Sequence, residues 1–136
     1  MVDTILLATD GSEHAQRATA HAIALAKREN ATLQAIFVVD TRELGEPALS
    51  SIEVLIDEYE DRGREILNDV VRAAEKHDVP IETRCCHGHP SEEILAMADA
   101  VDADLIVVGE RGETHKIKEG EVMRALRQED RRVIVA

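Results

Sequence analysis

Aromatic side chains are almost missing. Phe37 and Tyr59 are the two present, 1% of the 136 residues, and there is no tryptophan. A core must therefore come from Ala, Val, Ile and Leu, and base recognition by stacking on protein rings is not expected. Basic residues are also scarce, 16 Lys and Arg against 28 Asp and Glu, for a formal net charge of −12. Such a balance argues against nucleic-acid backbones, which need a basic footprint, and against anionic membrane surfaces. Lysine is the rarer base, limited to Lys27, Lys76, Lys116 and Lys118. An acid-rich, lysine-poor surface suits a halophilic protein, because strong salt screens its self-repulsion. Cysteine is confined to the neighbours Cys85 and Cys86. Adjacent cysteines rarely close a relaxed disulfide, which points to a reducing compartment. No apolar run reaches the 18 residues of a membrane span, and no basic-then-apolar leader precedes the first element. The expected location is cytoplasmic.

What is present fits one domain. Apolar residues make up 44%, enough for a chain of this length to bury a core. Thr4 to Ala8 reads as strand 1, and Ser12 as the N-cap of a helix over Glu13 to Arg28. Ala15, Ala18, Ala22, Ile23, Leu25 and Ala26 recur there at helical spacing, small enough to pack closely on a sheet. Asn30 suits its C-terminal stop. Thr32 to Val39 is strand 2, closed by Asp40, and a loop with Gly45 and Pro47 follows. Ser50 to His77 is a long charged helix, with an apolar stripe that includes Tyr59, Ile66, Leu67 and Val70. Gly63 in its middle costs about 1 kcal/mol against Ala and marks a kink or a close contact. Ile81 to Cys85 is strand 3, and His87 to Pro90 a loop. Helix 3 turns Ile94, Leu95, Ala98 and Val101 inward. Leu105 to Val108 is strand 4, a helix from about Gly120 to Arg127 comes next, and Arg131 to Ala136 is strand 5. Alternation of strands and helices means an α/β fold with a parallel sheet and right-handed crossovers.

Function in such sheets sits at the strand C-terminal ends. Asp10, Val38 to Asp40, Gly88 and the region of Gly109 are the candidates. Gly109 and Gly112 follow a buried strand, and Gly120 precedes a helix. Glycines there let a ligand approach bare N–H groups, and a helix start favours an anion, so the stretch can cradle a phosphate. Glu121 opposes that use with a carboxylate.

Taken together, the blocks I-L-L-A-T-D-G-S-E-H-A-Q-R-A, V-V-D, H-G-H-P-S-E-E-I-L and A-D-L-I-V-V-G-E-R-G resemble the universal stress protein family, in its order and over nearly the whole chain. The resemblance implies a single-domain, adenine nucleotide alpha hydrolase-like fold. It implies a five-stranded parallel sheet in the order 3-2-1-4-5, with helices on both faces. It also implies a homodimer through strand 5 (Val133, Ile134, Val135), and adenine nucleotide binding in many members, with at most feeble ATPase activity. By the same resemblance, Asp10 would contact ribose or adenine, beside Ala8, and the backbone of Thr9 and Val38 would hold the base. Val108, Gly109, Arg111 and Gly112 would line ribose and phosphates, and Gly120, Glu121 and Val122 would complete the phosphate end.

Two departures bear on that site. The ATP-binding members carry G-x2-G-x9-G-[S/T], whereas here seven residues separate Gly112 from Gly120 and Glu121 replaces the hydroxyl residue. The family's proline ahead of the aspartate is Ala8 in this chain. A carboxylate repels a polyanion by about 1 kcal/mol at roughly 4 Å in bulk water, and more where shielded. A Mg²⁺ ion bridging Glu121 to phosphate would reverse the sign, and Lys116 and Lys118 in the same loop would neutralise charge. The ligand choice stays open between ATP, AMP and no nucleotide.

Each residue also has a plainer role. Asp10 can cap its own turn, and Gly109 and Gly112 can simply permit a tight bend. Cys85, Cys86, His87 and His89 match no zinc spacing and read as two small core residues and two loop histidines. His14 and His21, and the acidic run from Glu53 to Asp61, read as solvated. Two functions compete: a nucleotide-binding stress regulator, and a dimeric interaction module of the same fold without nucleotide. A phospho-acceptor receiver domain is rejected, since it needs an acidic pair after strand 1 and a lysine after strand 5.

Overall fold

The structure is a computed structural model that describes residues 2–41, 49–109 and 132–135. Strand β1 (Thr4–Ala8) leads into helix α1 (Glu13–Glu29), then β2 (Thr32–Asp40), α2 (Leu49–Lys76), β3 (Ile81–Gly88), α3 (Pro90–Ala100), β4 (Leu105–Val108) and β5 (Arg132–Val135). The expected helix over Gly120 to Arg127 and the loops around Gly45 and Gly112 lie outside the described residues.

All pairings are parallel, and the sheet order is β3-β2-β1-β4-β5, as the resemblance implies. β1 is therefore central, and its Ile5, Leu6 and Leu7 are fully buried. Alternation sends Ile5 and Leu7 to one face and Leu6 to the other. Helices α1 and α2 cover the first face, where Ala18, Ala22, Ala26, Leu67, Val70 and Ala74 meet Ala35, Phe37 and Val107. Helix α3 covers the second, bringing Ile94, Met97 and Ala98 onto Leu6, Ile36 and Ile106. Complete burial of one such leucine contributes about 1.5–3 kcal/mol.

Local signals act as read. Ser12 is the N-cap of α1 and its Oγ accepts from the Ala15 amide at 3.1 Å. Asn30 ends α1 in the left-handed conformation, φ 54°. Pro90 occupies the first turn of α3, with Glu92 and Glu93 behind it. Gly63 is the close contact: a Cβ there would lie 2.4 Å from Phe37 Cδ1. α2 thus reaches the sheet at a point where only hydrogen fits.

Four details differ from the pattern. β3 runs on to Gly88, because β2 offers partners as far as Asp40, which pairs with Gly88. His87 and Gly88 are thus strand residues rather than a loop. On α3 the buried set is Ile94, Met97 and Ala98, while Leu95 and Val101 are half-buried at its margin. Tyr59, placed on the apolar stripe of α2, is 43% exposed. Cys85 and Cys86 are half-buried rather than core, because β3 is an edge strand.

The N-terminal end of the sheet is clasped by Asp104. Its Oδ2 accepts from the amides of Asp3 at 2.8 Å and Thr4 at 3.1 Å, and its own amide donates to the Thr4 carbonyl at 2.9 Å. The start of β4 is thereby tied to the start of β1.

Candidate functional site

The chain winds outward from β1 through β2 to β3, then returns to the other side of β1 for β4 and β5. Such a reversal opens a crevice outside the C-terminal ends of the strands where the direction changes. Here those strands are β1 and β4. Ala8 pairs with Val108 on one side and with Ile36 on the other. The next residues, Thr9 and Gly109, leave the sheet side by side, and Val38 stands two residues beyond Ile36. The fold thus brings Ala8, Thr9, Asp10, Val38, Val108 and Gly109 to one end of the sheet. Arg111, Gly112, Gly120, Glu121 and Val122 lie outside the described residues.

The turn after β1 is held by its own side chains. Thr9 is buried, and its amide donates to the Ile36 carbonyl at 3.0 Å. Thr9 Oγ1 accepts from the Gly11 amide at 3.3 Å, and Asp10 Oδ1 from the Ser12 amide at 2.9 Å. Asp10 therefore does cap its turn, in the manner of an Asx turn. A carboxylate offers about four acceptor positions, so this hydrogen bond and a ligand contact are compatible. Gly11 has φ +80°, and a Cβ there would meet Ile66 Cδ1 of α2 at 2.5 Å. The positive φ is what requires glycine, since the flexible tip of Ile66 could yield, and Ile66 of α2 covers the outer side of the turn.

Asp40 ends β2 with 8% exposure, a buried carboxylate at the same end of the sheet. Its neighbour on β3, Gly88, has φ +143°, and Glu93 of α3 lies against it, with Oε1 2.8 Å from where a Cβ would stand. That placement of Glu93 had no signal in the sequence beyond its role in the first turn of α3.

A second group gathers where α2 meets β3. Glu60 stands within the acidic run, yet its side chain is only 16% exposed, and its Oε2 is 3.8 Å from His87 Nδ1. Cys85 Sγ donates to the Glu60 carbonyl at 3.4 Å. Solvation of the run holds at Glu53, Asp57, Glu58 and Asp61 and stops at Glu60, which faces β3. Nothing local marks that residue, since the contact spans α2 and β3.

Adjacent on one strand, Cys85 and Cys86 point to opposite faces of the sheet, Cys85 toward α2 and Cys86 toward α3. They cannot converge on one ion. Burial, then the Glu60 carboxylate, pushes the Cys85 thiol up. Burial, then the Glu93 carboxylate, pushes Cys86 from 9.0 to about 11. Both stay protonated at neutral pH, which suits packing rather than nucleophilic work. No group of three or more metal-ligating side chains forms among the described residues, and no described helix is long and apolar enough to cross a membrane.

Comparison with known proteins agrees with this geometry. A universal stress protein of Methanocaldococcus jannaschii is 40% identical over 111 residues, covering 81% of this chain. The match spans 65% of that relative's length, slightly under two thirds. Among solved structures, a universal stress protein family member from Burkholderia pseudomallei superposes with a TM-score of 0.82 at 28% identity, over 99% of this chain and 96% of that one. Two more distant structures share the fold. One is a universal stress protein in complex with cAMP, TM-score 0.72 at 24% identity, over 99% of this chain and 96% of that one. The other is an Arabidopsis thaliana family protein with AMP bound, TM-score 0.70 at 17% identity, over 98% and 90%. The family model described as the universal stress protein family matches residues 1–127. With its sheet order, its β1 turn and this match in accord, the chain belongs to the universal stress protein family.

Proposed function

We propose that this protein is a cytoplasmic stress-response regulator that binds an adenine nucleotide across the C-terminal ends of β1 and β4. One observation carries the reading: Thr9, Asp10 and Gly109 leave the sheet together at its point of reversal, with Val38 beside them. The residues fit the nucleoside part of such a ligand. Asp10 supplies a carboxylate for ribose hydroxyls, and the backbone beside Thr9 and Val38 supplies groups for the base edge. AMP bound in one distant neighbour and cAMP in another are in keeping with this choice. Hydrolysis is at most feeble, and Mg²⁺ would act only by bridging Glu121 to phosphate.

The test is calorimetric titration with ATP, ADP and AMP, with and without Mg²⁺, in molar KCl. Micromolar binding that disappears in Asp10→Ala supports the reading. Asp10→Asn, which keeps an acceptor for Ser12, separates loss of a ligand contact from loss of the turn. Absence of binding by folded protein rejects it.

The hydrogen bond from Ser12 to Asp10 favours a second reading, in which Asp10 only shapes the turn and the protein is a dimeric interaction module. In either case the proposed dimer forms through β5, whose Val135 is 40% exposed on an edge strand. Light scattering in high salt reads this directly, and a monomeric mass would rule it out.

A further inference from the structure

The outer edge of β3 is self-complementary, and we infer that a second copy of this chain pairs there, antiparallel and centred on Thr83. β3 ends the sheet order, and no described strand lies beyond it. The contact is separate from the β5 dimer proposed above and needs no nucleotide.

Register decides which groups the edge offers. The Leu33 amide donates to the Pro80 carbonyl at 2.9 Å, and Leu33 pairs with Ile81. Backbone groups alternate in direction along a strand, so those of Glu82 and Arg84 turn to β2. Ile81, Thr83 and Cys85 turn theirs to the open side, where the backbone meets no hydrogen-bond partner among the described residues. The strand is eight residues long and holds no proline, so its backbone does not block pairing. Side chains complete the match. Turned about Thr83, the order Ile81-Glu82-Thr83-Arg84-Cys85 sets Glu82 against Arg84 of the second copy, and half-buried Ile81 against its Cys85. Glu82, Thr83 and Arg84 are exposed. Opposite charges facing each other stabilise an antiparallel pair, most closely at a non-hydrogen-bonded position, which this one would be. Charges that only guard an edge would repel a copy, whereas these attract one. Gln34 Nε2 donates to Glu82 Oε2 at 3.1 Å, which holds the carboxylate and leaves it acceptor capacity. Space allows the contact as well. α2 lies over both β2 and β3. With strands about 4.8 Å apart, the two copies of α2 would run about 10 Å apart, an ordinary helix spacing.

Disulfide trapping reads this contact and is blind to β5. Thr83→Cys, in a chain that also carries Cys85→Ala and Cys86→Ala, would bring two Cα atoms about 5.5 Å apart across the axis, within disulfide reach. Mild oxidation in about 1 M KCl, which screens the overall negative charge, should link the copies. The yield should exceed that of Ala20→Cys in the same background about tenfold, because pairing raises the effective concentration. Ala20 is exposed on α1, which packs on β1, β2 and β4, and it reports chance collisions. Adding Arg84→Glu sets carboxylate against carboxylate and should lower the yield about tenfold, and Glu82→Arg with Arg84→Glu should restore it. Circular dichroism establishes folded protein in each case. In the otherwise native chain, Arg84→Glu should halve the mass seen by light scattering at high protein concentration. Equal yields at positions 83 and 20 would overturn the inference, whether the edge stays solvated or serves a different protein. So would an Arg84→Glu chain that matches its parent in yield or in mass, or a double exchange that restores nothing.

Discussion

The two faces of the sheet are closed in different ways. On the α1 and α2 face, backbone comes close to side chain. Gly63 lies against the Phe37 ring, and Gly11 against Ile66. Alanines at 15, 18, 22, 26 and 74 let both helices approach. On the α3 face a single described helix meets the sheet through larger side chains, Ile94 and Met97, and a carboxylate, Glu93, lies over Gly88 at its margin. Close approach gives the first face little freedom to readjust. The second is closed by longer side chains, Ile94 and Met97, that can shift; half-buried positions border both faces, Leu25, Ile66 and Cys85 the first and Leu95, Val101 and Cys86 the second. Dense packing transmits strain, and the cost of a deletion depends on how far its surroundings collapse. Rigidity should therefore be unequal between faces of one sheet.

Leu6 and Leu7 sharpen the contrast most, since both are fully buried neighbours on the central strand. Leu7→Ala should cost about 4 kcal/mol and Leu6→Ala about 3, because the α3 face can close part of its cavity. Chemical denaturation measures both, and a larger loss at Leu6 would break the comparison. Next is Gly63→Ala. Displacing the Phe37 ring costs about 2–3 kcal/mol, and better helix propensity returns about 1, for a net loss of about 1–2. Phe37→Leu in the same chain should recover part of that loss, because a smaller side chain yields to the new methyl. Additive losses would mean the contact does not matter.

Alkaline pH gives a smaller effect. Folding raises the Cys86 thiol to about 11, so the native state holds its proton longer than the unfolded chain. Stability from this group is complete below pH 9 and is lost as pH rises toward 11. The readout is a difference between two proteins: Cys86→Ala should flatten the melting-temperature decline relative to the parent. Equal declines would show that burial of the thiol is not felt. The smallest change is expected on the outer side of α2, which touches neither face. Asp61→Ala removes the exposed ion pair to Arg64 and should cost less than about 0.5 kcal/mol. A loss above 1 kcal/mol would place part of α2's stability outside its packing.

Most of this architecture was legible because its causes are local. Leu105 to Val108 is apolar at every position, as burial on both faces demands, and Ser12 and Asn30 mark helix ends by their own backbone chemistry. Gly63 left a kink or a close contact open, and only the fold decides for the contact and names Phe37. What escaped notice depends on distant pairing. β3 continues to Gly88 because β2 extends to Asp40, and Glu60 leaves water because His87 stands opposite. Neither fact is written near those residues. At the site, the residues around Asp10, Val38 and Gly109 were legible as strand ends. Their convergence comes from the strand order, which local patterning does not contain and the family resemblance supplied.

The Asp104 clasp has a consequence for synthesis on the ribosome. β1 emerges first yet sits in the middle of the sheet, with β2 on one side and β4 on the other. Its β4 side remains an open edge until residues 104–108 have been made, about a hundred residues later. Throughout that interval the nascent chain presents Ile5 to Leu7 along a bare strand, the kind of edge that other chains can add to. The clasp ties the start of β4 to the start of β1, so the oldest strand can be covered on both sides before β5, residues 132–135, completes the sheet.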